Sequence, residues 1–197
     1  MSFLLGLTGS IGMGKTSTAK LFRQLGCDVW DADAAVHRLY ARDGAAVEPM
    51  SRVFPEAIID GSVDRGQLKA IIAKDASAIK KIEKIVHPLV AADREAFKKT
   101  ARSDIIVFDI PLIFETGGQS KLDAVACVSV DAETQEKRVL ERGTMTREQF
   151  LMIRDKQMPD AEKRKLADYV IETDTPEHAL AQVQAIINDI RTKVSHA

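Results

Sequence analysis

Short apolar runs alternate along the chain with stretches in which apolar residues recur every three or four positions. Phe3-Leu4-Leu5-Gly6-Leu7-Thr8 is mostly apolar, as expected for a strand buried on both faces of a parallel sheet. Beyond it Ala19, Phe22 and Leu25 fall at helical spacing, and Gly26 stands where a helix stops. Cys27-Asp28-Val29-Trp30-Asp31 is short enough for a second strand, and residues 34–40 form the next helix. Residues 105–109, 124–130 and 169–171 supply three more strands. Thr175 is placed to cap a last helix with Pro176 at its first position. That helix packs through Leu180, Val183, Ile187, Ile190 and Val194. Five strands separated by helices predict an α/β fold, a five-stranded parallel sheet covered by helices on both faces.

Between residues 36 and 100 the texture changes, and strand-like runs nearly vanish. Ile79, Ile82, Ile85 and Val86 form one apolar stripe, with Lys80, Lys81, Glu83 and Lys84 opposite or beside it. The helix is expected to end near His87-Pro88, because a residue before proline avoids the α region. Asp60-Gly61-Ser62-Val63-Asp64-Arg65-Gly66 reads as a loop leading into a helix. A helical insertion of this length predicts a substrate-holding lobe. His37, Arg65 and His87 are its notable polar residues; for each, a ligand contact and a surface ion pair or structural hydrogen bond both stay open.

The candidate chemistry begins where the first strand ends. Gly9-Ser10-Ile11-Gly12-Met13-Gly14-Lys15-Thr16 fits the phosphate-loop pattern G-x-x-x-x-G-K-[ST] at every fixed position, with a strand before it and a helix after. Its glycines let the backbone curl so that successive N–H groups face phosphate oxygens. The helix that follows adds its unpaired N–H groups and positive dipole end. Lys15 is expected to reach the β- and γ-phosphates, and the Thr16 hydroxyl to take one position on Mg²⁺. A nucleoside triphosphate binds here.

Three further groups extend the site. Asp31-Ala32-Asp33 puts two carboxylates at the carboxyl edge of the second strand, where open α/β folds bind ligands. One carboxylate can cap the next helix while the other takes a proton from an attacking hydroxyl; Asp33 is favoured for the second duty by position. Asp109 ends the strand over 105–109 and is expected on magnesium, directly or through water. Glu115, on the following turn, is divided between substrate contact and surface. Arg138, Arg142, Arg147 and Arg154 then form a basic stretch. A solvated face is its bland reading; the chemical one is a mobile lid over the phosphates, hinged at Gly143, with Arg142 the first candidate and Arg138 the second.

Composition narrows the partners. With 197 residues, 45% hydrophobic and 29% charged, the chain is an ordinary globular one. Its net charge of −1 offers no attraction for nucleic acid or an acidic membrane. Cys27 and Cys127 lie in or beside apolar runs and read as core thiols. No leader or transmembrane run is visible, and no stretch points to an obligate protein partner; the expectation is a cytoplasmic protein. Site chemistry alone indicates a phosphoryl transferase or a nucleotide hydrolase, with the helical insertion favouring a small-molecule kinase.

The chain resembles the dephospho-coenzyme A kinase family, P-loop kinases related to the nucleoside monophosphate kinases. The resemblance rests on the phosphate loop, on Asp31-Ala32-Asp33 with His37, and on Asp64-Arg65-x-x-Leu68. It continues through Ile82-Glu83-x-Ile85-x-His87-Pro88, Asp109-x-Pro111-Leu112-Ile113-Phe114-Glu115, Gln135-x-x-Arg138-x-x-x-Arg142, Gln157 and Ala167-Asp168-Tyr169-Val170-Ile171. It implies that ATP donates its γ-phosphoryl to the ribose 3′-hydroxyl of dephospho-CoA, with Asp33 as base. Residues 36–100 would be the CoA-binding insertion and 138–160 the lid, with 1–35, 101–137 and 161–197 the nucleotide-binding core. Two places depart from the family pattern: Ile153, beside Arg154, stands where the lid arginine is usual, and Glu172-Thr173-Asp174 replaces an asparagine-containing turn. A nucleoside or nucleotide kinase is the alternative. A non-enzymatic GTP switch is remote, since the guanine reader N-K-x-D is missing and the single asparagine is Asn188.

Overall fold

In the computed structural model, residues 2–195 are described. They divide into two units, residues 2–30 with 101–195, and residues 31–100.

The first unit is built on strands β1 (Phe3–Thr8), β2 (Asp28–Asp31), β5 (Ile105–Asp109), β6 (Ala124–Ser129) and β7 (Tyr169–Glu172). They form a five-stranded parallel sheet in the order β2-β5-β1-β6-β7. β1 lies between β5 and β6, with Leu7 opposite both Asp109 and Ala126. The chain therefore leaves β1 toward one edge and later winds toward the other, and the turn after β1 sits at the reversal, where such sheets bind ligands. Helices α1 (Lys15–Gln24), α6 (Ala132–Glu141), α7 (Arg147–Lys156), α8 (Asp160–Leu166) and α9 (Pro176–Ser195) accompany the sheet. β5 and β6 are buried throughout, which explains why they read as unbroken apolar runs.

The core joins Leu5, Leu7, Phe22, Val107, Val128 and Ile171 to one face of α9. That face is Ala179, Val183, Ile186, Ile187 and Ile190, so the expected stripe holds at its centre and fails at its ends, where Leu180 and Val194 are exposed. Ala179 takes the inward position in the first turn, and Leu180, one residue on, lies about 100° round the helix and faces out. Cys27 and Cys127 are buried and unpaired by disulfide, as expected of core thiols. Burial pushes their thiols up to about 11 and about 12, so both stay protonated and unreactive. At the start of β2, the Asp28 carboxylate accepts from the N–H groups of Arg102 (2.7 Å) and Ser103 (2.9 Å), tying the turn before β5 in place.

The second unit contains α2 (Ala32–Tyr40), α3 (Val47–Val53), a hairpin of β3 (Ile58–Ile59) and β4 (Ser62–Val63), α4 (Arg65–Lys74) and α5 (Ala78–Thr100). Its core gathers Leu39, Tyr40, Met50, Phe54, Leu68, Ile82 and Val86. Two expectations are corrected here. The stretch taken as loop from Asp60 begins in the hairpin: Asp60 (φ 50°) and Gly61 (φ 75°) turn the chain and pair Ile59 with Ser62. Asp-Gly between Ile58-Ile59 and Ser62-Val63 is a strong hairpin signal, because both turn residues need positive φ. The second correction is α5, which does not stop at His87-Pro88 but runs 23 residues with Pro88 inside. Pro88 forfeits one backbone bond and costs about 3 kcal/mol. Ile82 and Val86 before it are buried in one core, and Leu89 and Val90 after it pack partly buried against the same core, so burial on both sides of the proline offsets the loss. The expected stripe also shifts: Ile79 is exposed, and Ala78 takes its place.

Candidate active site

The loop between β1 and α1 forms the curl that its sequence implies. Gly14 precedes α1 with φ 91°, and no side chain caps the helix, whose first turn holds no acid. The first amides of α1 thus keep their donors, and the helix end its positive potential. Gly12 (φ 80°) is pressed against α6: a Cβ there would lie 2.6 Å from Val139. Gly9, Ser10 and Met13 are buried, while Thr16 is exposed on the first turn of α1. The crest is held from two sides: Gln157 Oε1 accepts from Ile11 N–H at 3.0 Å, and Gln135 Nε2 donates to Ile11 O at 2.7 Å.

The Lys15 ammonium forms an ion pair with Asp109, whose side chain is 3% exposed. Register explains the meeting, since β1 and β5 end side by side with Leu7 opposite Asp109. Thr8 anchors the same region by donating to Pro111 O at 2.9 Å. Glu115, two turns of loop further on, pairs with the wholly buried Lys163 at 2.8 Å and accepts from Met158 N–H at 3.0 Å. Burial acts to raise its carboxyl, but Lys163 and the Met158 N–H together hold it below the usual carboxylate range. Its carboxylate thus joins the 109–115 turn to the segment leading into α8.

Beside the loop lies a cavity of about 450 Å³, lined by Gly14, Leu21, Arg138, Arg142, Thr173, Pro176 and Ala179 among others. Leu21, Pro176 and Ala179 give it an apolar wall, and two guanidinium groups give it a basic one. This size and mixture suit a small organic ligand. Arg138, the second candidate, is bonded within the unit: its fork donates to Thr173 Oγ1 at 3.0 Å and to Thr173 O at 2.5 Å. Arg142, by contrast, ends α6 and is exposed, just before Gly143 at φ 64°. In α7, Thr146 and Gln149 form a capping box and Phe150 is buried. Arg147 bonds Glu136 at 2.5 Å, Arg154 pairs with Asp155 at 3.1 Å over the Phe150 ring, and Ile153 is exposed.

In the second unit the two carboxylates at the start of α2 divide their work. Asp31 is the helix cap, accepting from Ala34 N–H at 2.9 Å. Asp33, in the first turn, is exposed, and His37 follows one turn later on the same side. Arg65 opens α4 behind its cap Asp64, with its guanidinium carbon 5.8 Å from the centre of the Tyr40 ring. Tyr40 shares the α2 face of Asp33 and His37 at helical spacing. His87 is exposed on α5.

A magnesium site can be judged by its donors. Among the described residues no three His, Cys, Asp or Glu side chains gather as a metal cage. Magnesium in nucleotide sites needs none, taking one or two protein oxygens and completing its shell with phosphate and water. The Thr16 hydroxyl and the Asp109 carboxylate fit that requirement. Sequence reasoning missed Thr173 and Lys163 as site-building residues and assigned Gln135 and Gln157 no contact. Lys163 sits in the highly charged run of α8, and nothing in that pattern marks it as buried.

Comparison with known proteins agrees with this geometry. A family model described as dephospho-CoA kinase matches residues 3–178. A dephospho-CoA kinase of Ruegeria pomeroyi is 60% identical over the full length of both chains. One of Cereibacter sphaeroides is 53% identical, over 96% of each. A crystal structure from Thermus thermophilus superposes with a TM-score of 0.85 at 32% identity, covering 95% of this chain and 97% of that one. Shikimate kinase from Acinetobacter baumannii, at 17% identity and TM-score 0.53, shares the fold alone. With the phosphate loop, its acids and its helical insertion all inside that full-length match, the chain belongs to the dephospho-CoA kinase family.

Proposed function

We propose the following division of labour for the reaction of this family, transfer of the γ-phosphoryl of ATP to the ribose 3′-hydroxyl of dephospho-CoA in the last step of coenzyme A synthesis. The amides of residues 12–16 and the open end of α1 hold the β- and γ-phosphates. Lys15 exchanges its partner Asp109 for phosphate oxygens as the donor arrives. Thr16 and Asp109 are the residues that would hold Mg²⁺, which, when bound, neutralises charge between the phosphates. The base of the nucleotide occupies the cavity beside Leu21 and Pro176, and Arg142 adds positive charge near the transferring group from a segment that Gly143 lets swing.

Asp33 accepts the proton of the acceptor hydroxyl. The capping duty belongs to Asp31, so the Asp33 carboxylate is not committed to the backbone. His37, Arg65 and His87 contact the acceptor, which carries a diphosphate that cationic side chains suit. Glu115 acts indirectly, keeping the turn after Asp109 in place.

The observation that carries the reading is the uncapped α1 terminus with Lys15 on the carboxylate of Asp109. Incubation with ATP, Mg²⁺ and dephospho-CoA, followed by mass analysis, is expected to yield CoA and ADP. ADP formation without an acceptor that gains mass would point to a hydrolase. Faster transfer to a nucleoside or nucleotide in a substrate panel would overturn the acceptor.

A further inference from the structure

Thr173 follows β7, lines the cavity beside the phosphate loop and is 7% exposed. Its N–H donates to Ser129 O at 2.9 Å, which fixes it against the end of β6. Its hydroxyl donates to Met13 O at 2.7 Å and accepts from Arg138 at 3.0 Å, while its own carbonyl accepts from the same guanidinium at 2.5 Å. One buried hydroxyl thus joins the phosphate loop to an arginine of the neighbouring cavity.

The bond to Met13 has a directional consequence. The carbonyl of Met13 and the N–H of Gly14 belong to one planar trans peptide, so they point in opposite directions. Drawing Met13 O toward Thr173 turns the Gly14 N–H away from it. On the other side, the two bonds to Arg138 hold its guanidinium in one plane against the cavity wall, where an unanchored arginine would sample many rotamers. There is no slack in the arrangement: a Cβ on Gly14 would lie 3.0 Å from Thr173 Oγ1.

We propose that Thr173 is a positioning residue for the nucleotide, its hydroxyl aiming the Gly14 amide and immobilising Arg138 before ATP arrives. This rests on the reading of residues 9–16 as the ATP site. Of side chains this size, only a hydroxyl donates to a carbonyl and accepts from a guanidinium at once. Valine matches its shape with neither capacity, and serine keeps both without the methyl.

Steady-state kinetics and ATP binding of Thr173→Val, Thr173→Ala and Thr173→Ser test it. Val and Ala are expected to raise the KM and Kd for ATP about tenfold or more, the scale of a lost buried hydrogen bond to a charged group, and to leave the KM for dephospho-CoA within about twofold. Ser is expected to restore wild-type values, and Arg138→Met combined with Thr173→Ala to cost little beyond either alone. Should Val fail to fold because its methyl crowds Met13 O, Ala carries the test without that clash. Unchanged ATP affinity in Ala, or a Ser variant as impaired as Ala, would overturn the proposal. Wild-type protein that did not bind ATP would overturn the nucleotide reading and this inference with it.

Discussion

At the scale of single residues, much of the site rests on which of two similar groups is already occupied. Asp31 and Asp33 lie two positions apart, and capping by the first leaves the second, the proposed base, uncommitted to the helix end. Asp33→Asn is therefore expected to keep ATP affinity and to lower kcat about 10²-fold or more, the scale for losing a general base. Equal turnover in the variant, measured by coupled ADP release, would leave Asp33 as a surface residue. The same logic separates the arginines: Arg138 spends its fork on Thr173, whereas Arg142 is exposed. Glu115 had two open readings, and its pairing with buried Lys163 adds a third role, in the scaffold.

Elements show how tertiary packing overrides local preference. Pro88 lacks the N–H that would bond the Lys84 carbonyl, yet α5 continues because both of its halves face one core. Pro88→Ala is expected to restore that bond and to raise the thermal midpoint by several degrees, as followed by circular dichroism. A lower midpoint would mean that the helix had adapted to the proline. Asp28 offers a test at the turn before β5. The Ser103 and Arg102 N–H groups hold its carboxyl below the ordinary carboxylate range. A depressed folded pKa stabilises above the unfolded value and is lost as pH falls through the folded one. The advantage of wild type over Asp28→Asn in thermal midpoint is thus expected to be full near neutrality and to shrink as pH falls below about 4. A gap independent of pH would show that the carboxylate charge plays no part.

For the molecule as a whole, ligand binding and stability are linked. A protein that binds ATP only when folded gains RT ln(1 + [L]/Kd), about 2.7 kcal/mol at one hundred times Kd. Its melting temperature is expected to climb steadily with ATP and Mg²⁺, and Lys15→Ala to flatten the response; parallel curves would remove Lys15 from the phosphate contacts. What the sequence by itself determined is whatever depends on neighbours along the chain. The phosphate loop, the buried runs of β1, β5 and β6, and the cap-and-proline start of α9 all follow from local sterics and periodicity. The Asp60-Gly61 hairpin belonged to the same class and was legible, though it was taken for loop. Only the tertiary structure decided that α5 passes through Pro88, that Leu180 and Val194 face outward, and that Lys163 is buried against Glu115. It likewise decided that Thr173 holds Met13 and Arg138 together. Each of these outcomes is a balance between segments up to 160 positions apart, and no periodicity along the chain records which distant group will neutralise a charge or fill a hydrogen bond.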